Sequence, residues 1–356
     1  MSIISPPAKV LVTGANGFLA AWILHFLLEH GYSVRGTVRA ESKSEYLRNL
    51  YKSEVENQQL EFIVVPDMMS PGAFDDAVKG AHAIVHTASP VHLDANDPNE
   101  LIEPAVTGTL GVLESALKYA NSRGEQLKRV VITSSCAAVV NIPYSGIFDE
   151  RSWNEGAIME VQEKGKGASQ LAKYRASKTL AERAAWDFVE RNRPSINWDL
   201  ATICPPYIFG PVLLSPHSRP TELSASMSLF YKALFSKSIA KEELKGMQGE
   251  WVDVRDVAEG HVRALEVSQA GGERFILSSG PWMWQNWFDV ANQLDIPDAD
   301  FPIGTPGEGK QFSFKVRFDP KKARSTLGLQ FRDMGQTTRD VVKDFVSRGW
   351  VSLGAS

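Results

Sequence analysis

Through its N-terminal half the chain alternates short apolar runs with amphipathic stretches. Lys9–Thr13, Ser33–Val38, Leu60–Val65, Ala83–Thr87, Arg129–Ser134 and Asp199–Ile203 are β-rich runs of strand length. Between the first two, Leu19, Trp22, Ile23, Phe26 and Leu27 recur at helical spacing, which predicts a helix over Phe18–His30 that Gly31 stops. Ser42–Val55, Gly72–Lys79, Glu100–Asn121 and Gln170–Arg191 read as further helices. From Asn141 to Gly167 the periodicity fades. Strands alternating with helices predict an α/β fold, a Rossmann-type doubly wound parallel sheet with its ligand crevice at the carboxyl ends of the strands.

After Pro205 the pattern changes. Pro205, Pro206, Pro211, Pro216 and Pro220 punctuate a loop-rich stretch before a helix near Leu223–Phe235. Val254–Val267 and Arg274–Leu277 read as one more helix and strand rejoining the sheet. Trp282, Trp284, Trp287 and Phe288 then open a C-terminal section. The expected division is a dinucleotide-binding domain over 1–204, rejoined by about 251–278. A smaller, mixed α/β substrate domain would comprise 205–250 and 279–356.

Composition narrows the function by exclusion. The 356 residues carry 38 basic and 42 acidic side chains, a net charge of −4. That balance offers no footprint for nucleic acid or for an anionic membrane surface. Two cysteines, Cys136 and Cys204, build no disulfide framework. The first ten residues show no signal peptide, and no apolar run reads as a bilayer span. A cytoplasmic enzyme, monomer or homodimer, acting on a small molecule is the expectation.

The candidate chemistry begins at Thr13-Gly14-Ala15-Asn16-Gly17-Phe18-Leu19-Ala20, between the first strand and the first helix. Glycines allow a tight turn and close backbone approach, and the helix N-terminus offers free N–H groups to a pyrophosphate. One strand on, a carboxylate that would bind an NAD ribose is missing from the end of the second strand; Arg39 stands there, with Lys43 beyond it. A guanidinium matches a 2′-phosphate by paired hydrogen bonds, so the cofactor read from these residues is NADPH/NADP+.

Tyr174 and Lys178 fall at i and i+4, hence on one helix face, and Ser135 ends the fifth strand. The three suit carbonyl reduction. A free Tyr titrates near pH ~10. A cation about 4 Å away contributes ~4 kcal/mol at an effective dielectric of about 20, so Lys178 is expected to draw the phenol toward neutrality. Ser135 would hydrogen-bond the carbonyl oxygen as charge develops on it.

These residues resemble those of the extended short-chain dehydrogenases/reductases. The nearest branch is the one holding dihydroflavonol 4-reductases and the fungal NADPH-dependent aldehyde, ketone and methylglyoxal reductases. The resemblance rests on Val12–Phe18, Thr37-Val-Arg39, Pro66-Asp-Met68, His86-Thr-Ala-Ser-Pro90, Thr133-Ser-Ser135, Tyr174-Arg-Ala-Ser-Lys178 and Trp251–Val257. It implies a catalytic triad of Ser135, Tyr174 and Lys178, with Lys178 also holding the nicotinamide ribose. It implies cofactor contacts from Thr13, Gly14, Asn16, Gly17, Phe18 and Leu19, and from Arg39 and Lys43 at the 2′-phosphate. Asp67 and Met68 would border the adenine, Thr87, Ala88 and Ser89 would line the groove, and Pro205 would sit beside the nicotinamide. Val140, Leu171 and Tyr207 fall where relatives line the substrate pocket.

Thr107 stands where relatives often carry Asn, and Val140 where dihydroflavonol reductases usually carry a polar residue, favouring an apolar carbonyl substrate. A dihydroflavonol-type reductase, a nucleotide-sugar epimerase or dehydratase with bound NAD, and a non-catalytic NADP(H) sensor are the alternatives. His82, His86 and His92 do not read as a metal site, because four residues of strand separate the first two by about 13 Å. Ser224 and Ser226 are left open as diphosphate contacts.

Overall fold

The computed structural model describes residues 3–89, 95–119, 127–141, 144–213, 215, 218–294, 296 and 300–351; Pro90, His92, Asn121 and Pro216 lie outside them. The first half runs β1 (Lys9–Thr13), α1 (Phe18–Glu29), β2 (Ser33–Val38), α2 (Glu45–Leu50), α3 (Lys52–Glu56), β3 (Leu60–Val64), β4 (Ala83–His86), α4 (Asn99–Tyr119) and β5 (Arg129–Thr133). Next come β6 (Gly146–Phe148), α5 (Glu155–Lys164), α6 (Gln170–Asn192), β7 (Asp199–Cys204), β8 (Tyr207–Phe209), α7 (Ala225–Leu234), α8 (Lys241–Gly246) and β9 (Gln248–Asp253). The chain then forms α9 (Val254–Glu266), β10 (Arg274–Ile276), β11 (Gly280–Met283), α10 (Trp284–Gln293), α11 (Glu308–Gln311), β12 (Val316–Phe318), α12 (Lys321–Leu327) and α13 (Met334–Ser347).

Seven of the strands pair in parallel in the order β10-β7-β5-β4-β1-β2-β3. Both faces are covered, as all-parallel sheets require. Alternation along β1 shows it: Val10 and Val12 join a core with Leu24 and Leu27 of α1 and Val257 and Val262 of α9. Leu11 points the other way, to Val112 of α4 and Phe188 of α6. The strand order reverses between β1 and β4, so a crevice opens at their carboxyl ends. The glycine turn, Arg39, Asp67, Thr87, Ser135 and Pro205 each follow one of these strands.

The remaining strands form two small sheets. β11 pairs antiparallel with β9, and β9 parallel with β8. β6 and β12 form a parallel pair. Beside them an aromatic core gathers Phe209, Phe230, Trp282, Trp284, Trp287 and Phe345, so the tryptophans pack a core as their burial implies.

Two expected helices differ. Ser42–Val55 is a 3-10 turn at Glu41–Lys43 followed by α2 and α3, broken at Tyr51. Tyr51 is buried, and its hydroxyl bonds Nδ1 of His25 at 3.0 Å. Gly72–Lys79 is a run of turns. There Asp75 takes its hydrogen bonds from Ser115 and Lys118 of α4, tying the segment to that helix. His82 lies one residue before β4, where its Nδ1 accepts from the Lys9 N–H.

Candidate functional site

At the β1–α1 turn Gly14 adopts φ +67°, a left-handed conformation that side chains rarely take. A Cβ there would also press on Ala88 at 3.3 Å. The neighbouring loops are tied together. Gly14 N–H donates to Thr37 Oγ1, and the Thr87 and Ala88 N–H groups both donate to Thr13 Oγ1 at 3.1 Å. No side chain caps α1, so its first-turn N–H groups face the crevice open to an anion. Asn16 and Gly17 are exposed there; Phe18 and Leu19 are half-buried.

Arg39 and Lys43 are exposed and, among the described residues, bond no other side chain. The nearby carboxylate of Glu41 is paired with Arg48 at 2.9 Å. An uncapped helix start together with two unpaired cations after β2 fits a dinucleotide bearing an extra phosphate. Asp67 is exposed, its carboxylate accepting from Met69 N–H and Ser70 Oγ. Met68 lays its methyl group over Gly108 of α4. The hydroxyls of Ser224 and Ser226 are taken up, one capping α7 and the other donating to Ile208 O at 2.7 Å.

At the other end Ser135 stands in extended backbone just past β5, its Oγ accepting from Ala137 N–H and lying 3.4 Å from Pro205 O. Tyr174 and Lys178 project from α6, whose start is capped by Ser169. The Tyr174 hydroxyl faces Ser135, which favours its ionised form. Lys178 Nζ lies 5.9 Å from the Tyr174 ring centroid and donates to Ser89 Oγ at 2.9 Å. Burial pushes Lys178 down to about 8. Burial also raises Tyr174 above the usual phenol range, against the pull of the Ser135 hydrogen bond, and Tyr207 adds to the rise. This corrects the expectation that Lys178 draws the phenol down: the ammonium sits toward Ser89, and desolvation dominates.

Behind Lys178 is a cavity of ≈ 20 Å³ lined by His86, Ser89, Thr109, Ser134 and Glu182, room for about one water. Since Thr13 Oγ1 accepts two backbone N–H groups, its hydrogen goes to His86 Nδ1 at 2.9 Å. His86 therefore carries its own proton on Nε2, which has no partner. Burial, then the Lys178 charge, holds His86 down to about 3, so it stays neutral. Among the described residues no cluster could hold a metal ion.

Glu182 anchors the catalytic helix. Its carboxylate receives Arg274 Nε at 2.7 Å and Nη2 at 3.1 Å, Ser134 Oγ at 2.6 Å and Thr202 Oγ1 at 2.7 Å. Arg274 also lies 3.7 Å from the Trp153 ring centroid. The network spans α6, β5, β7 and β10. Glu182 follows Lys178 by one helical turn, so a carboxylate on the buried face was a readable sign; its partner in β10 was not. Thr107 proves exposed, and Thr109 is the residue facing the cavity.

On the substrate side Leu171 and Tyr207 are 48% and 43% exposed. Val140 is packed away at 5%, against Cys136, Val139 and Phe318. Cys136 and Cys204 are buried free thiols, raised by burial.

A model of the NAD dependent epimerase/dehydratase family matches residues 10–277. The chain belongs to that family. Within it, the chain is 33% identical over 350 residues to the NADPH-dependent methylglyoxal reductase of Saccharomyces cerevisiae, covering 95% of this chain and 98% of that one. It is 35% identical over 371 residues to a ketoreductase of Aspergillus niger, covering 96% and 98%. The crystal structure of yeast methylglyoxal/isovaleraldehyde reductase complexed with NADPH superposes with a TM-score of 0.84 at 32% identity, covering 96% of this chain and all of that one. The likeness spans nearly the whole chain, as the resemblance to extended short-chain reductases implies.

Proposed function

We propose that this member of the family is an NADPH-dependent carbonyl reductase that converts an aldehyde or ketone to an alcohol. The reading rests on one juxtaposition: an uncapped phosphate turn with free Arg39 and Lys43 at one end of a crevice, and Ser135, Tyr174 and Lys178 at the other. Relatives named as NADPH-dependent reductases support it.

Bound NADPH supplies a hydride to the carbonyl carbon. The protein's part is to hold the oxygen and deliver a proton to it. Ser135 Oγ, beside the Tyr174 hydroxyl, donates a hydrogen bond to the carbonyl oxygen and strengthens it as charge builds there. Tyr174 donates the proton. Its raised pKa keeps the phenol protonated near neutrality, the form reduction requires. Lys178 carries its charge below about pH 8. Arg39 and Lys43 grip the 2′-phosphate and Lys178 the nicotinamide ribose. Leu171 and Tyr207 form the open wall that the substrate meets.

The test is consumption of NADPH against a panel of aldehydes, ketones and α-dicarbonyls, with NADH as control. Tyr174→Phe should lose ~10²–10⁴-fold in turnover while its NADPH dissociation constant stays at the wild-type value. Unchanged turnover would remove Tyr174 from the chemistry.

A further inference from the structure

Helix α6 carries five cationic side chains, and four are spoken for. Lys173 Nζ donates to the Ala95 and Asn96 carbonyls, Lys178 to Ser89, Arg183 to Glu155 and Arg191 to the Asp187 carbonyl. The Arg175 side chain alone of the five donates no hydrogen bond and makes no ion pair among the described residues, although it is half-buried. A guanidinium drawn partly out of water is ordinarily paired. Every other partly buried cation of this helix obeys that rule.

Its position is the second observation. Arg175 follows Tyr174 directly, and it lies one turn after Leu171, at the i,i+4 spacing that stacks two side chains on one helix face. Leu171 is half exposed, as is Tyr207, whose hydroxyl feels the Arg175 charge and in turn acts on Tyr174. Arg175 therefore stands at the open wall of the substrate crevice, beside the residue read above as the proton donor. The other charge felt there is Glu160 of α5. That carboxylate is committed elsewhere, accepting from Ser169 N–H at 3.0 Å and facing Lys164 at 3.6 Å.

We propose that Arg175 is a specificity-determining residue that binds a carboxylate carried next to the reacting carbonyl, so that oxo acids are the preferred substrate class. This rests on the reductase reading and deepens it. The planar fork of a guanidinium fits a carboxylate through two parallel hydrogen bonds. A substrate so held is anchored at one end while its carbonyl meets Ser135 and Tyr174. Burial lowers the Arg175 pKa, but a guanidinium remains charged throughout the working range.

The experiment compares phenylglyoxylate, its methyl ester and benzaldehyde as substrates for wild type, Arg175→Leu and Arg175→Lys, each saturated with NADPH. Arg175→Leu should lose about tenfold or more in kcat/KM on the acid, mostly through KM, and stay within about threefold on the ester and the aldehyde. Arg175→Lys should fall between, keeping the charge and losing the fork. A cation that is merely solvated leaves acid and ester equally affected by Arg175→Leu, and that result overturns the proposal. Wild-type protein that reduces benzaldehyde but not the acid also overturns it. Failure of wild type on all three substrates, and on the wider aldehyde panel, strikes instead at the reductase reading.

Discussion

At the phosphate end of the crevice, the side chains of Arg39 and Lys43 stand exposed after β2 and, among the described residues, bond nothing. At the hydride end Lys178 is half-buried, hydrogen-bonded to Ser89, and backed by a carboxylate–guanidinium pair. In the proposed function both ends serve the same ligand. One holds charge in water and relies on the ligand to pair it; the other has charge withdrawn from water and fixed in place beforehand. An exposed cation costs the fold nothing when the ligand is away, so binding strength can be tuned there without affecting stability. A buried site gains orientation and pKa control, and its supports are also supports of the fold.

The largest test of that contrast removes a support. Glu182→Ala deprives the Arg274 guanidinium of its carboxylate in the interior, leaving it only the Glu150 and Ser152 carbonyls, and strips acceptors from Ser134 and Thr202. Breaking a buried pair by deleting one partner costs ~3–5 kcal/mol. Chemical denaturation should show a loss of that size, with reductase turnover falling as α6 loosens against β5. A loss below about 1 kcal/mol, within the range of a surface ion pair, would mean the hydride end is not coupled to the fold.

The second test is the mirror image. Arg39→Ala should leave the denaturation midpoint unchanged, since the exposed side chain bonds nothing among the described residues. Losing one charge-assisted phosphate contact, worth ~1.5–3 kcal/mol, should raise the NADPH dissociation constant by about 10- to 100-fold. NADH, which has no 2′-phosphate, should bind the variant as it binds wild type. An equal weakening for both cofactors would place Arg39 elsewhere than at the 2′-phosphate.

The same division explains what could be read from the residue pattern alone. β1, β2 and the start of α1 fall where periodicity put them, because parallel strands buried on both faces are continuous apolar runs and α1 follows a glycine turn. The phosphate end is local: strand, turn and helix are neighbours in the chain. The hydride end needs contacts between distant residues. Glu182 with Arg274, His86 with Thr13 and Tyr207 with Arg175 are visible only once β4, β10 and β8 are in place. α5 escaped notice for a different reason. It buries only Ala157, so it has no apolar stripe, and it is held by its Asn154 cap and by Arg183–Glu155 across to α6. The pair β6–β12 joins segments too short and too far apart for any local pattern to link.

The smallest expected effect concerns protonation at the buried end. Burial lowers Lys178 to about 8. Its charged form, the one proposed to hold the nicotinamide ribose, is therefore complete below that pH and lost as pH rises through it. Tyr174 is raised and stays protonated across the same interval. The kcat/KM for carbonyl reduction, which reports ionisations of the free enzyme, should be level on the acid side and fall several-fold above pH 8. Lys178→Arg supplies a cation that does not titrate in this range, and its profile, at whatever height, should stay flat past pH 9. A limb that remains near pH 8 in Lys178→Arg would assign the titration to another group and detach the Lys178 charge from turnover.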